Sequence, residues 1–149
     1  MTELELRWMA GWLEGEGTFY IGKGGTAAII QVFSIDLDVL EKAHQIVGGA
    51  LHYIKPRRHP QGYVSQEGWR LHLESEAAVS LMRQVLPLMG QRRTTQIKAV
   101  LRAWENRPNR PVEKLCACGC GRSVFGGPRL IYARKGACAQ RALRQRRIA

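Results

Sequence analysis

Residues 7–23, RWMAGWLEGEGTFYIGK, constrain this chain more than any other stretch. They read as a helix that runs straight into a strand, with acids and glycines at the junction. Thr2 can cap the helix start, and Glu5 three residues on completes a capping-box pattern. Leu6, Met9, Ala10 and Leu13 recur at helical spacing and make one apolar face. Gly11 and Gly15 stand four apart, with Ala10 beside the first, and small residues on one helix stripe let a second backbone come close. Glu14, Gly15, Glu16 and Gly17 end the helix, and Thr18, Phe19, Tyr20 and Ile21 are strand-like.

The run Met9-Ala10-Gly11-Trp12-Leu13-Glu14-Gly15-Glu16-Gly17 resembles the LAGLIDADG signature of homing endonucleases. Ala10 and Gly11 keep the small pair, Gly17 keeps the closing glycine, and both acidic places hold Glu instead of Asp. The resemblance implies that Glu16 is a metal-binding carboxylate and that Gly15 lends its backbone carbonyl to the same metal. Glu14 would be structural, near the helix end. Trp12 is bulkier than the leucine of the signature but still apolar.

The rest of the chain has an order that agrees. Residues 18–23 form a strand, Gly24-Gly25 a two-residue turn, and 26–35 the return strand. Phe19, Ile21, Ile30 and Val32 would face the helices, with Tyr20 and Gln31 outward. Asp36 caps a helix that ends at Gly48-Gly49. Residues 50–55 are a third strand and 55–68 a long polar loop. Residues 69–74 alternate cleanly, so Trp69, Leu71 and Leu73 share one face and Arg70, His72 and Glu74 the other. Ser75 caps a helix that Pro87 breaks, and residues 91–104 are the last helix of this part. The resemblance over residues 1–107 implies an α+β LAGLIDADG domain, α-β-β-α-β-β-α, with a saddle-shaped antiparallel sheet.

Phosphodiester hydrolysis needs an activated water and help for the leaving oxygen, and divalent metals supply both between carboxylates and phosphate. Mg²⁺ prefers hard oxygen ligands and keeps several waters, so few carboxylates suffice. The chain has one motif, so a homodimer through Leu6, Met9, Ala10, Gly11 and Leu13 is expected, with two Glu16 carboxylates side by side. Its double-stranded DNA target would then be palindromic or nearly so. The resemblance makes the outward sheet residues Tyr20, Gln31, Arg70 and His72 the DNA readers, with Lys55, Arg57 and Arg58 from the loop; each singly is also readable as a solvated surface residue. Gln and Arg suit bidentate base contacts. Ser34 stands near the place where the family commonly carries Gln. A basic residue before the last helix is also usual there; Arg92 or Arg93 fits, and Arg92 is taken as the catalytic candidate.

Charge separates the two ends of the chain. Of the formal net charge of +11, residues 1–113 carry +2 and residues 114–149 carry +9, with no acid after Glu113. Such an asymmetry suggests a tail for a polyanion, most simply nucleic acid, although a solvated basic tail is common. Cys116, Cys118, Cys120 and Cys138 are the four cysteines of the chain, and no His follows His72. A four-ligand metal held by the tail alone must therefore use all four thiolates, which points to structural Zn²⁺. Free thiols or a disulfide are the competing readings. The tail loosely resembles the small zinc-finger-like modules appended to mobile-element nucleases. Arg141 and Arg144 lie in a basic segment suited to phosphates.

These readings divide the chain into an endonuclease domain (1–107), a linker (108–114) and a basic tail (115–149). No apolar run reaches a membrane span, and the N-terminus is no signal peptide, so a cytoplasmic protein is expected. Two other functions fit the same resemblance: a non-cleaving DNA-binding regulator, and an RNA-binding splicing helper (maturase) acting on its host intron.

Overall fold

The computed structural model describes residues 1–108, 110–127, 130–134 and 136–146. It divides the chain into two compact units, Met1–Glu105 and Asn106–Ala149.

The first unit is α+β and begins with α1 (Glu3–Glu16). The capping box forms: the Thr2 hydroxyl accepts from the Glu5 amide at 3.3 Å, and Glu5 Oε2 accepts from the Thr2 amide at 2.6 Å. That amide holds the Glu5 carboxyl below its ordinary range. Then follow β1 (Thr18–Ile21), β2 (Ala28–Ser34), α2 (Leu37–Val47), β3 (Ala50–Ile54), β4 (Gly68–Glu74), α3 (Ser75–Val85), a 3₁₀ turn (Leu86–Leu88) and α4 (Gln91–Glu105). The four strands form one antiparallel sheet in the order β1-β2-β4-β3.

Register decides which residues meet. Phe19 pairs with Ile30, Ile30 with Leu73, and Val32 with Leu71. These side chains are buried on the helix-covered face together with Met9, Leu13, Met82, Val85 and Ile97. Each such burial contributes about 1.5–3 kcal/mol. Because side chains alternate along a strand, the opposite face carries Tyr20, Gln31, Phe33, Arg70, His72, Ala50 and His52.

Several local expectations need correction. The first hairpin loop is wider than Gly24-Gly25, since Gly22 donates to the Ala27 carbonyl at 2.8 Å and the strands stop at Ile21 and Ala28. Asp36 makes no side-chain cap; instead Ser34 Oγ accepts from the Asp36 amide at 3.1 Å. Ser75 is the first residue of α3, at φ 57°, and Glu74 is the preceding cap position. The polar loop is partly paired into a finger: the Ser65 amide donates to the Arg57 carbonyl and the His59 amide to the Tyr63 carbonyl, each at 2.9 Å.

The second unit has a hairpin, β5 (Val112–Leu115) and β6 (Ser123–Gly126), then α5 (Ala137–Arg146). Residues 112–114, read as linker, lie in β5. The strand-like segment 130–133 forms no strand, though the Ala117 amide donates to the Ile131 carbonyl at 2.9 Å.

Candidate functional site

The junction between α1 and β1 is built from the motif residues. Gly17 follows the helix directly, and its amide donates to the Leu13 carbonyl at 3.0 Å. A Cβ on Gly17 would stand 2.6 Å from that carbonyl oxygen, so close approach requires glycine here. Glu16 is exposed, and among the described residues its carboxylate has no hydrogen bond or ion pair. Glu14 is tied inward: its Oε2 accepts from the Gly90 amide at 3.0 Å, which fastens the start of α4 to the end of α1. The structural role expected of Glu14 has this contact as its basis.

The basic residues before α4 differ in environment. Arg92 is exposed, whereas Arg93 is 8% exposed. Arg93 donates to the carbonyls of Glu14 and Gly15, both at 3.0 Å. The Gly15 carbonyl therefore uses one of its two lone pairs on Arg93 and keeps the other. Arg93 and Gln96 were legible as inner-face residues, since each stands one helical repeat before a buried residue, Ile97 and Val100.

The helix face expected to meet a second copy is placed differently. Met9, Ala10 and Leu13 are buried by the chain's own sheet and helices, at 1%, 4% and 1% exposure, and Leu6 packs against the same core. An amphipathic helix has one apolar stripe, and here its own domain takes it. Of the five residues named for the interface, Gly11 stands on the open side. Leu4, Gly11 and Gly15 are exposed there at helical spacing, flanked by stacked Trp8 and Trp12. Nothing lies within 4 Å of a Cβ built at Gly11 or Gly15.

On the open sheet face, Tyr20 donates to Gln31 Oε1 at 3.0 Å, leaving the Gln31 amide hydrogens free to donate. Gln31 is registered against His72, and Phe33 against Arg70, with His52 next across. His72 Nε2 lies 3.6 Å from Glu74 Oε2. Arg70 Nε is buried without an acceptor among the described residues. Lys55, Arg57 and Arg58 are exposed at the base of the finger. His52 was missed, because β3 shows no clean alternation in sequence.

In the second unit the turn between β5 and β6 carries Cys116, Cys118 and Cys120, and Cys138 lies in the first turn of α5. The four sulfurs lie within 4.8 Å of one another, and Cys116 Sγ is 3.4 Å from Cys118 Sγ. That separation is far beyond a disulfide bond of about 2 Å. It suits tetrahedral thiolates around one ion, with metal–sulfur bonds of about 2.3 Å. The residues therefore fit a metal, and this group can hold one. Amide hydrogen bonds from Ala133 and Cys118 lower the Cys116 thiol to about 6. Burial, with sulfur neighbours, pushes Cys118 up to about 12. The Arg122 amide lowers Cys120. Besides the cysteines, this core buries only Val124 and Ala142 among the described residues. Arg141 and Arg144 are exposed on α5.

Comparison with solved structures identifies the architecture. The homing endonuclease I-CvuI, in complex with its target (Sro1.3) in the presence of 2 mM Ca, aligns with a TM-score of 0.52 and 18% identity, covering 71% of this chain and 69% of that one. The fold is that of a homing endonuclease. A second structure of I-CvuI, with the I-CreI target (C1221) in 2 mM Mg and the DNA not cleaved, aligns at 0.48 and 17% identity, covering 72% and 69%. No protein-family model matches the sequence, and no curated protein does. Among the described residues no helix is long and apolar enough to cross a membrane.

Proposed function

We propose that this chain is a homodimeric, site-specific double-stranded DNA endonuclease of the homing type, dependent on divalent metal. The observation that carries this reading is Glu16: an exposed carboxylate, without internal partners among the described residues, on a helix end fixed by Gly17, Glu14 and Arg93 in a homing-endonuclease fold. Mg²⁺ bound by Glu16 and its counterpart would activate water and offset charge on the scissile phosphate. The chain's own residues present Glu16, with Arg92 exposed at the start of α4 as the basic catalytic candidate. The open sheet face supplies Tyr20, Gln31, Arg70 and His72 to the DNA, and the finger supplies Lys55, Arg57 and Arg58. Zn²⁺ is the ion we assign to the four cysteines, and Arg141 and Arg144 to backbone phosphates.

The test uses purified protein, Mg²⁺ and a plasmid carrying the locus of its own gene with the insertion closed up. Conversion to a single linear product, blocked by EDTA, is the expected result. Specific binding without a cut would instead favour the non-cleaving regulator, and tight binding only to intron RNA the splicing helper.

Dimerisation has its own test. A Cβ added at Gly11 has nothing within 4 Å among the described residues, so Gly11→Leu should stabilise the monomer through helix propensity, by about 0.8 kcal/mol. The same side chain blocks close approach of two α1 helices and should shift the protein to monomers in sedimentation. A wild-type monomer that cuts both strands would contradict the dimer.

A further inference from the structure

Arg93 is the one buried charged side chain among the described residues. It reaches from α4 to the motif across 79 residues of sequence, and its bonded acceptors are neutral. Nε donates to the Glu14 carbonyl, Nη2 to the Gly15 carbonyl and Nη1 to Gln96 Oε1, each at 3.0 Å. Gln96 Nε2 then donates to the Phe19 carbonyl at 3.1 Å. The guanidinium also lies 5.9 Å from the centroid of the Phe19 ring.

A buried charge normally has an opposite charge beside it. Here the negative end of α1 takes that place. The last carbonyls of a helix lack internal partners and carry partial negative charge. α1 adds Glu14 and Glu16 at this end and no base in its last turn. Such an end is electrostatically unfavourable and prone to fray. The guanidinium fork answers both problems, binding two successive carbonyls with a delocalised positive charge. Through Gln96 the same group reaches Phe19, so carbonyls on both sides of residues 16–18 are held from α4.

We infer that Arg93, assisted by Gln96, is the positioning residue that holds the Glu16 junction in one geometry for the cutting reaction. This rests on the nuclease reading above. Arginine is required because two carbonyls must be bonded at once by a planar fork, which a lysine ammonium cannot reproduce.

Arg93→Lys in the full-length protein keeps the charge and removes the fork. Amide hydrogen exchange reads the junction without any cleavage. The Gly17 amide should exchange about tenfold faster in the variant, while the amides of Ile30 and Leu71 in the central strands keep their wild-type protection. Cleavage should lose about 10²-fold in kcat with KM little changed, the signature of a misplaced group. If the central strands also lose protection, Gln96→Met is measured in the same way and should accelerate Gly17 exchange by a smaller factor. Unchanged Gly17 exchange in these variants overturns the inference, as does faster exchange with full kcat. A wild-type protein that cuts no DNA removes the nuclease reading; the role in cutting then falls with it, and exchange decides whether Arg93 holds the junction.

Discussion

Glu16→Gln is expected to abolish DNA cleavage while leaving the folded dimer and its DNA affinity intact. The substitution keeps size and shape and removes the charge that would hold a divalent ion. A metal at a phosphoryl centre contributes several kcal/mol of charge stabilisation, so the loss should be about 10³-fold or more in kcat. Stability should not fall, because Glu16 is exposed and has no internal bond among the described residues. A carboxylate at the C-terminal end of a helix opposes the dipole, so the melting temperature should stay level or rise. Affinity for duplex DNA, measured in Ca²⁺ or EDTA, should be equal or slightly higher, since one negative charge near the phosphates is gone. The combination of lost cutting with retained fold and binding separates a catalytic carboxylate from a structural one. Full cleavage by this variant in Mg²⁺ would remove Glu16 from the site.

Removal of metal is expected to unfold the second unit and leave the first standing. Besides the cysteines, the described core of residues 106–149 buries only Val124 and Ala142, which is too little apolar surface to order the segment. A structural zinc in small peptides supplies about 10–16 kcal/mol of apparent binding free energy, and in such a unit that is the folding free energy. Protein purified under reducing conditions should therefore hold one zinc per chain. Cys138→Ser should release it and lose the circular-dichroism signal of α5, while the melting transition of residues 1–105 remains. DNA affinity should drop but persist, because the arginines stay in the chain. Truncation of residues 111–149 should weaken binding further and flatten its salt dependence, by about 0.9 in log–log slope for each phosphate no longer neutralised. Cleavage at high protein concentration and low salt should survive truncation. Absence of zinc, or a truncated protein with the salt slope of the full chain, would count against this role.

Local pattern alone determined a good part of this protein. The Thr2–Glu5 cap, the strict alternation at 69–74, the glycine-and-acid stop of α1 and the clustered cysteines are short-range features, readable without knowledge of the fold. Residues 115–149 hold no His, Asp or Glu, so their four cysteines were legible as the candidate metal ligands there, and their sulfurs do lie within 4.8 Å of one another. Tertiary structure decided what periodicity cannot express. A helical apolar stripe says that Met9, Ala10 and Leu13 are covered, but not by what. Only the packed sheet shows that their own domain covers them and that Gly11 and Gly15 are left open. The strand order β1-β2-β4-β3 sets Gln31 opposite His72, and no local signal specifies that pairing. Of the adjacent Arg92 and Arg93, spacing to Ile97 turns Arg93 inward, but spacing cannot say what it meets there. Its place was settled by a contact across 79 residues, because a guanidinium is buried only where the fold brings acceptors to it.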